Sequence, residues 1–228
     1  MTLSLISQSP EMNVAYDSTL SKFRTPCTAI VAGQTGSGKT HFLSRLIRFR
    51  REMFCPPVDR IVYSYKRYQP IFDRMTGVEF VQGDDYTLDR ERATLLILDD
   101  QINDISDRMK QIFTVDSHHL NCSVFLVTQN LFMPCKKFRT IALNSQYLML
   151  FKSPRGVAQI THLARQLYTG DQAKRMIRAY ADATEHPFTY LMVDLRSDTP
   201  DALRFKGAIL PDEGASFGDA KLTECYRV

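Results

Sequence analysis

The chain has 228 residues, of which 44% are hydrophobic, and this is enough for one domain with a sizeable core. Its formal net charge of +4 indicates a slightly basic surface, which is only weak support for a polyanionic partner. No apolar run approaches the ~18 residues of a membrane span. The N-terminal stretch lacks the pattern of a secretory signal, so neither a membrane protein nor a secreted one is expected.

The cysteines also argue for a reducing compartment. Their number is odd and no two form a C-x-x-C pair, so neither a disulfide framework nor a zinc knuckle is predicted. The five positions are Cys27, Cys55, Cys122, Cys135 and Cys225.

Strands and helices are predicted to alternate along most of the chain. The predicted strands are apolar runs at 27–32, 60–65, 78–83, 93–100, 123–130, 147–152 and 188–195. The predicted helices cover 38–54, 104–118, 155–168 and 171–184, and residues 202–210 are expected to add an edge strand or hairpin. This alternation predicts an α/β fold, with a mostly parallel sheet covered by helices on both faces.

Three parts of the chain are distinguished by composition. Residues 1–25 are polar and mixed and are interpreted as an N-terminal extension. The alternating pattern of residues 26–210 predicts one globular domain, and residues 211–228 are interpreted as a loose C-terminal tail.

A glycine-rich turn between the first predicted strand and helix carries the clearest chemical signal. It fits the P-loop pattern G-x-x-x-x-G-K-[ST], in which backbone N–H groups converge on phosphate oxygens at a helix N-terminus. The Lys39 ammonium is expected to reach the β- and γ-phosphates of ATP, and the Thr40 hydroxyl to bind Mg²⁺. The residues of the turn are Gly33, Gln34, Thr35, Gly36, Ser37, Gly38, Lys39 and Thr40.

Two acids end the buried strand "ATLLILDD". Asp99 is predicted to hold Mg²⁺, usually through water, as the Walker B residue. Asp100 stands where many hydrolysing P-loop proteins carry a Glu that orients or deprotonates the attacking water. Because Asp is one methylene shorter than Glu, it stays open whether Asp100 can reach the attacking water. A plain helix-capping role for the two acids also stays open.

Further polar residues are candidates for the hydrolysis step. Gln129 or Asn130, after the next predicted strand, could place an amide beside the γ-phosphate, although polar residues commonly end buried strands. Ring ATPases often take a transition-state arginine from the neighbouring subunit. Arg139 and Arg155 flank the strand 147–152 and are the candidates for that role, with a surface or DNA-backbone contact as the alternative for each.

Several longer blocks resemble the genome-packaging ATPases of the FtsK/HerA superfamily. The resemblance covers about residues 25–210 and is closest to the small versions in Polinton-like elements and adintoviruses, relatives of the poxvirus-type enzyme. The most specific blocks are "SHHLNCSVFLVTQNLF" and "RTIALNSQYLMLFKSPR", which follow "TAIVAGQTGSGKTHFLSRL" and "LLILDDQIND".

The resemblance implies a RecA-like core that uses ATP and Mg²⁺ to move double-stranded DNA into a capsid. It also implies assembly into a ring, often a hexamer, with capsid proteins as partners, inside the host cell or with the virion. It matches Asp99 to the Walker B acid, Asp100 to the catalytic acid and Gln129 to the glutamine after the next strand. This viral branch often has Asp-Asp at the Walker B position.

Two other functions stay open from the sequence. The P-loop fits a non-motor module in which ATP acts as an assembly switch at the capsid, and a weak base at Asp100 would favour it. A small-molecule phosphotransferase is also compatible, but the P-loop is its only support.

Overall fold

A nine-stranded sheet forms the centre of the computed structural model, which describes residues 22–100, 105–132, 135–153, 156–213 and 224–225. In chain order the strands are β1 Phe23–Arg24, β2 Thr28–Ala32, β3 Phe54–Cys55, β4 Arg60–Tyr65, β5 Glu79–Gln82, β6 Thr94–Asp99, β7 Cys122–Thr128, β8 Tyr147–Phe151, β9 Tyr190–Asp194, β10 Phe205–Gly207 and β11 Glu224–Cys225. Strands β1 and β3 pair separately, as a small parallel sheet of their own.

The helices follow the same chain order. They are α1 Lys39–Arg48, α2 Arg50–Met53, α3 Asp107–Gln111, α4 Ser117–His119, α5 Lys136–Leu143, α6 Val157–Leu167 and α7 Gly170–Ala183. A π-helical stretch, Ile112–Asp116, joins α3 to α4, and 3₁₀ turns cover Pro70–Arg74 and Asp201–Leu203. Within the described ranges, no helix combines the length and the apolar character needed to cross a membrane.

The large sheet has the order β11-β10-β9-β8-β2-β7-β6-β4-β5. Its strands run parallel from β5 through β8, whereas β9, β10 and β11 pair antiparallel with their neighbours. Because parallel strands end at the same edge, the loops after β2, β4, β6 and β7 all lie together. This edge therefore collects the glycine-rich turn and the polar residues that follow the other strands.

Both faces of the sheet are covered. On one face, buried side chains such as Ile30 and Leu126 pack with residues of α3, α5, α6 and α7. On the other, Val31 and Phe125 pack with α1 and with the small β1–β3 sheet. Strands buried on both faces are continuous apolar runs, which explains the sequence pattern. The predicted α/β fold with a mostly parallel, doubly covered sheet is confirmed.

Some element predictions need correction. The single helix predicted over 38–54 is divided at Phe49 into α1 and α2. Helix α5 was not predicted, because only Phe138 and Ile141 of its eight residues are buried and the apolar period is short. Residues 202–210 were expected to add an edge strand or hairpin, but their strand β10 lies inside the sheet, where it pairs antiparallel with both β9 and β11.

The division into extension, domain and tail stays a prediction, but two contacts near its limits are clear. Phe23 is fully buried, and its ring contacts Phe54, Phe125 and Tyr147. Near the other limit, Glu213 accepts a hydrogen bond from Arg45 Nη1 at 2.9 Å. Phe23 thus packs into the core, and Glu213 is linked to helix α1.

Candidate nucleotide site

The glycine-rich turn leaves the sheet at the end of β2 and enters α1. Gly33 N–H donates to the Thr128 carbonyl at 3.1 Å, which ties the turn to β7. Ser37 N–H donates to the Gln34 carbonyl at 3.1 Å and closes the turn. Gly36 and Gly38 have φ of 78° and 103°, values that L side chains rarely adopt. The backbone of this turn therefore requires glycine at both positions.

Close packing explains a third glycine. A Cβ at Gly33 would lie 2.6 Å from Phe151 Cβ and 2.6 Å from Ser37 Oγ, which is closer than real Cβ contacts. The Ser37 hydroxyl oxygen is itself buried and has no hydrogen-bond partner among the described residues. An unsatisfied buried hydroxyl is costly in a folded protein, so this turn carries a local cost in stability.

Lys39 begins α1, and its ammonium lies over the turn. The Nζ atom donates to the Gly33 carbonyl at 2.5 Å and to the Gln34 carbonyl at 3.0 Å. Burial lowers the pKa of Lys39, while the charges of Asp99 and Asp100 act in the opposite direction. The position suits a cation that recognises phosphate beside the N-terminus of a helix.

Asp99 and Asp100 end β6 in different environments. Asp99 is only 7% exposed, and its Oδ2 accepts hydrogen bonds from Tyr63 Oη at 2.8 Å and Gln69 Nε2 at 3.4 Å. Burial raises the pKa of Asp99, which the hydrogen bond from Tyr63 opposes. Asp100 is exposed and has a φ of 56°, an uncommon value for a residue other than glycine.

A cavity of about 560 Å³, called the phosphate cavity below, unites most of the predicted site. Three residues of the turn are not among the described residues that line this cavity: Gly33, Gln34 and Ser37. The predicted residues that do line it are Thr35, Gly36, Gly38, Lys39, Thr40, Asp99, Asp100 and Gln129.

Two of the remaining predicted residues, Arg139 and Asn130, do not line this cavity. Arg139 is exposed on α5 and lines a different cavity, with Phe132 and Leu163. Asn130 Oδ1 accepts a hydrogen bond from Phe132 N at 2.9 Å, which uses its side chain in a local turn. Of the two amides left open by the sequence, Gln129 is thus the one that faces the phosphate cavity. Arg155 lies outside the described residues.

Six residues that line the phosphate cavity were not among the predicted site residues: His41, Arg67, Tyr68, Gln69, Val127 and Thr128. Arg67, Tyr68 and Gln69 follow β4 and complete the wall of the phosphate cavity opposite α1. They directly follow the buried strand "RIVYSY", which pairs in parallel with β6. Polar residues after a strand adjacent to the Walker B strand are the signal that could have located them.

The donor set at this edge fits a magnesium ion. The Thr40 hydroxyl and the Asp99 carboxylate line the same cavity as Lys39, and oxygen ligands of this kind are what Mg²⁺ prefers. A Mg²⁺ ion held by these two oxygens would lie in the same cavity as the glycine-rich turn.

Comparisons with known proteins bear on the fold. No protein-family model and no curated protein sequence matches this chain. Among solved structures, the chain is similar to the genome packaging NTPase B204 from Sulfolobus turreted icosahedral virus 2 in complex with ATP-gammaS. That similarity has a TM-score of 0.50 and 13% identity, and covers 76% of this chain and 95% of that one.

The same NTPase in complex with AMPPCP gives a TM-score of 0.45 and 14% identity, again over 76% of this chain and 95% of that one. At 13% identity, the first likeness shows a shared fold. The chain thus has an α/β fold, with a mostly parallel central sheet flanked by helices, that is similar to the fold of a viral packaging NTPase.

Proposed function

We propose that this chain is an ATP-hydrolysing motor that moves double-stranded viral DNA into a capsid. The observation that carries the hydrolytic part is the phosphate cavity. It brings Lys39, Thr40, Asp99, Asp100 and Gln129 together from three parts of the chain at one edge of the sheet. A P-loop, two strand-end acids and an amide in one cavity are the parts that phosphoryl transfer to water requires.

Each side chain has a defined task in this proposal. Backbone N–H groups of the turn and the Lys39 ammonium bind the β- and γ-phosphates. Asp100 and Gln129 orient a water molecule whose oxygen attacks the γ-phosphorus, and Asp100 accepts the proton that the water loses. The bond from that phosphorus to the oxygen bridging the β-phosphate breaks, which leaves ADP and inorganic phosphate.

Thr40 and Asp99 would hold Mg²⁺, which supplies positive charge to the phosphate oxygens when it is bound. Tyr63 and Gln69 hold the Asp99 carboxylate by hydrogen bonds to Oδ2. Those two bonds keep the buried carboxylate in one orientation.

The DNA-packaging part has two supports. The sequence blocks resemble genome-packaging ATPases of the FtsK/HerA superfamily, and the fold is similar to a genome packaging NTPase. We extend this to a ring of subunits, as a hexamer, that contacts capsid proteins in the host cell or the virion. In such a ring Arg139 or Arg155 would act on the nucleotide of the neighbouring subunit, as is usual for transition-state arginines supplied in trans.

The experiment measures ATP turnover per site together with the mass of the assembly, with and without double-stranded DNA. Turnover that rises with DNA, in a ring-sized assembly, is expected, and DNA binding should weaken steeply with salt because the contacts are to phosphates. A strictly monomeric protein whose ATP turnover does not change with double-stranded DNA would contradict the proposed motor.

The same experiment separates the other two functions. Tight ATP binding with almost no turnover would favour the assembly switch, in which Asp100 is too weak a base. Phosphate transfer from ATP to a nucleoside or nucleotide without DNA would favour the phosphotransferase.

A further inference from the structure

A second cavity adjoins the phosphate cavity along the first turn of α1. It has a volume of about 750 Å³, within the range of small-molecule sites, and shares Gly38 and His41 with the phosphate cavity. Its other walls come from the end of α7 with the loop before β9, and from the segment around β10. It is called the base cavity below.

The position of the base cavity follows from the order of the strands. Asp99 and Gln129 follow β6 and β7, on one side of the strand that carries the P-loop. Strands β8, β9 and β10 lie on the other side of β2. A triphosphate whose γ end faces the acids therefore directs its nucleoside end away from them, toward β9 and β10, where the base cavity lies.

Phe188 gives the base cavity an aromatic wall. Its side chain is 67% exposed although it is large and apolar, and its backbone has a φ of 66°, which a bulky residue rarely adopts. A strained, exposed phenylalanine costs stability and contributes little packing, so a ligand that covers the ring would account for it. Phe188 lies beside the P-loop: a Cβ at Gly38 would be 3.2 Å from Phe188 Cβ and 3.5 Å from Cδ1 of its ring.

Hydrogen bonds connect other walls of the base cavity to one another. Tyr190 Oη donates to Glu213 Oε2 at 2.5 Å, and Leu210 N donates to the same oxygen at 3.0 Å. Burial raises the pKa of Tyr190, which keeps its hydroxyl protonated as a donor. In the loop before β9, Thr189 Oγ1 donates to the His186 carbonyl at 2.7 Å, and this bond restrains the segment that carries Phe188.

We propose that the base cavity binds the nucleobase and ribose of the bound nucleoside triphosphate, with the base stacked on the ring of Phe188. The inference rests on the proposed nucleotide site and names the residues that hold the part of the ligand beyond the phosphates. Stacking on an aromatic ring accepts any base, because every base has a π face.

The test compares two ligands by calorimetry, ATP and inorganic tripolyphosphate, because only ATP carries a base. Phe188→Gly should weaken ATP binding roughly 5- to 150-fold, the loss typical of one stacked base, and leave tripolyphosphate affinity unchanged. Phe188→Trp should retain ATP affinity. Glycine tolerates a φ of 66°, so Phe188→Gly is not expected to lower the melting temperature.

Leu143→Ala is the matched control, because Leu143 is a large apolar side chain, 77% exposed, that lines neither cavity. This control should bind both ligands like the wild type. Unchanged ATP affinity in Phe188→Gly, or an equal loss for both ligands, would overturn the base cavity while the nucleotide site stands. A wild-type protein that binds neither ligand would overturn the nucleotide site and the base cavity together. A lack of stimulation by DNA would overturn only the packaging function.

Discussion

The phosphate cavity and the base cavity share one turn of α1 but are built in different ways. Backbone groups and charged side chains line the phosphate cavity, and hydrogen bonds from the sheet hold its glycine-rich turn in place. The base cavity depends on an exposed ring at Phe188 and on a loop and a strand from distant parts of the chain. The proposed phosphate recognition thus relies on polar groups. The proposed base recognition relies on one exposed aromatic ring, in a cavity that charged side chains such as Arg45, Asp182 and Glu185 also line.

Among the substitutions in the phosphate cavity, Lys39→Ala should lower ATP turnover the most. Loss of the ammonium removes a charge aimed at the phosphates, so we expect turnover to fall by at least about 100-fold, as for other single electrostatic donors. Calorimetry should also show that tripolyphosphate binding is lost. Lys136→Ala, which removes an exposed lysine on α5, is the control. Normal turnover in Lys39→Ala would contradict the site.

Arg67→Ala tests the wall that sequence reasoning missed. Arg67 is exposed at the edge of the phosphate cavity, so its charge is partly screened. We expect ATP turnover to fall by about 10- to 100-fold, which is less than for a desolvated donor. The loss of ATP affinity that Phe188→Gly causes should be the same with and without Arg67→Ala. Arg51→Ala, an exposed arginine of α2, should behave like the wild type. Equal turnover in both variants would remove Arg67 from the site.

Gly38→Ala tests the border between the two cavities. With a φ of 103° the new side chain should cost about 1–3 kcal/mol of unfolding free energy. Its Cβ would also press on Phe188 at 3.2 Å. Gly36→Ala is the matched control, since its φ is 78° but nothing lies within 4 Å of a Cβ there.

Denaturant titrations in the Phe188→Gly background complete a double-mutant cycle. Removing the ring should reduce the cost of Gly38→Ala and leave the cost of Gly36→Ala unchanged. Equal costs of Gly38→Ala in both backgrounds would show that the two cavities are not in contact at this position.

The smallest effect is expected for Asp99→Asn, and it is a change in the free energy of unfolding of the protein without nucleotide or Mg²⁺. Burial raises the pKa of Asp99 above 3.8, so between 3.8 and the raised value the folded state holds the extra proton. Stability contributed by Asp99 therefore falls as pH rises through this window. The destabilisation caused by the charged Asp99 is absent below pH 3.8 and fully present above the raised pKa.

Asparagine carries no charge and still offers Tyr63 an acceptor. At neutral pH, Asp99→Asn should therefore need more denaturant to unfold than the wild type, and the difference should vanish in acid below the pKa window. A variant that is less stable than the wild type at neutral pH would contradict the destabilisation expected of a buried, charged carboxylate.

The two cavities also differ in how far the sequence could reveal them. The turn from Gly33 to Thr40 is contiguous and fixed by local backbone geometry, so a pattern locates it. Asp99 and Gln129 end apolar strands that are buried on both faces, and those runs are visible in the sequence. The predicted placement of these residues at one edge required only the rule that parallel strands end together.

The base cavity could not be predicted in this way, because its walls depend on the order of strands in the sheet. Phe188 and Glu213 are far apart in sequence from Gly38, and no periodicity links them. Helix α5 escaped prediction because its apolar stripe is short, and the side on which it places Arg139 depends on packing against α3. Tertiary contacts decide such features.

In the proposed complex, one nucleotide spans both cavities. A crystal structure with Mg²⁺ and a non-hydrolysable ATP analogue tests this most directly. We predict a γ-phosphate beside Lys39, a metal ion at Thr40 and Asp99, and a base stacked on Phe188. A base lying instead against Arg67 and Gln69, or phosphates away from the glycine-rich turn, would contradict it.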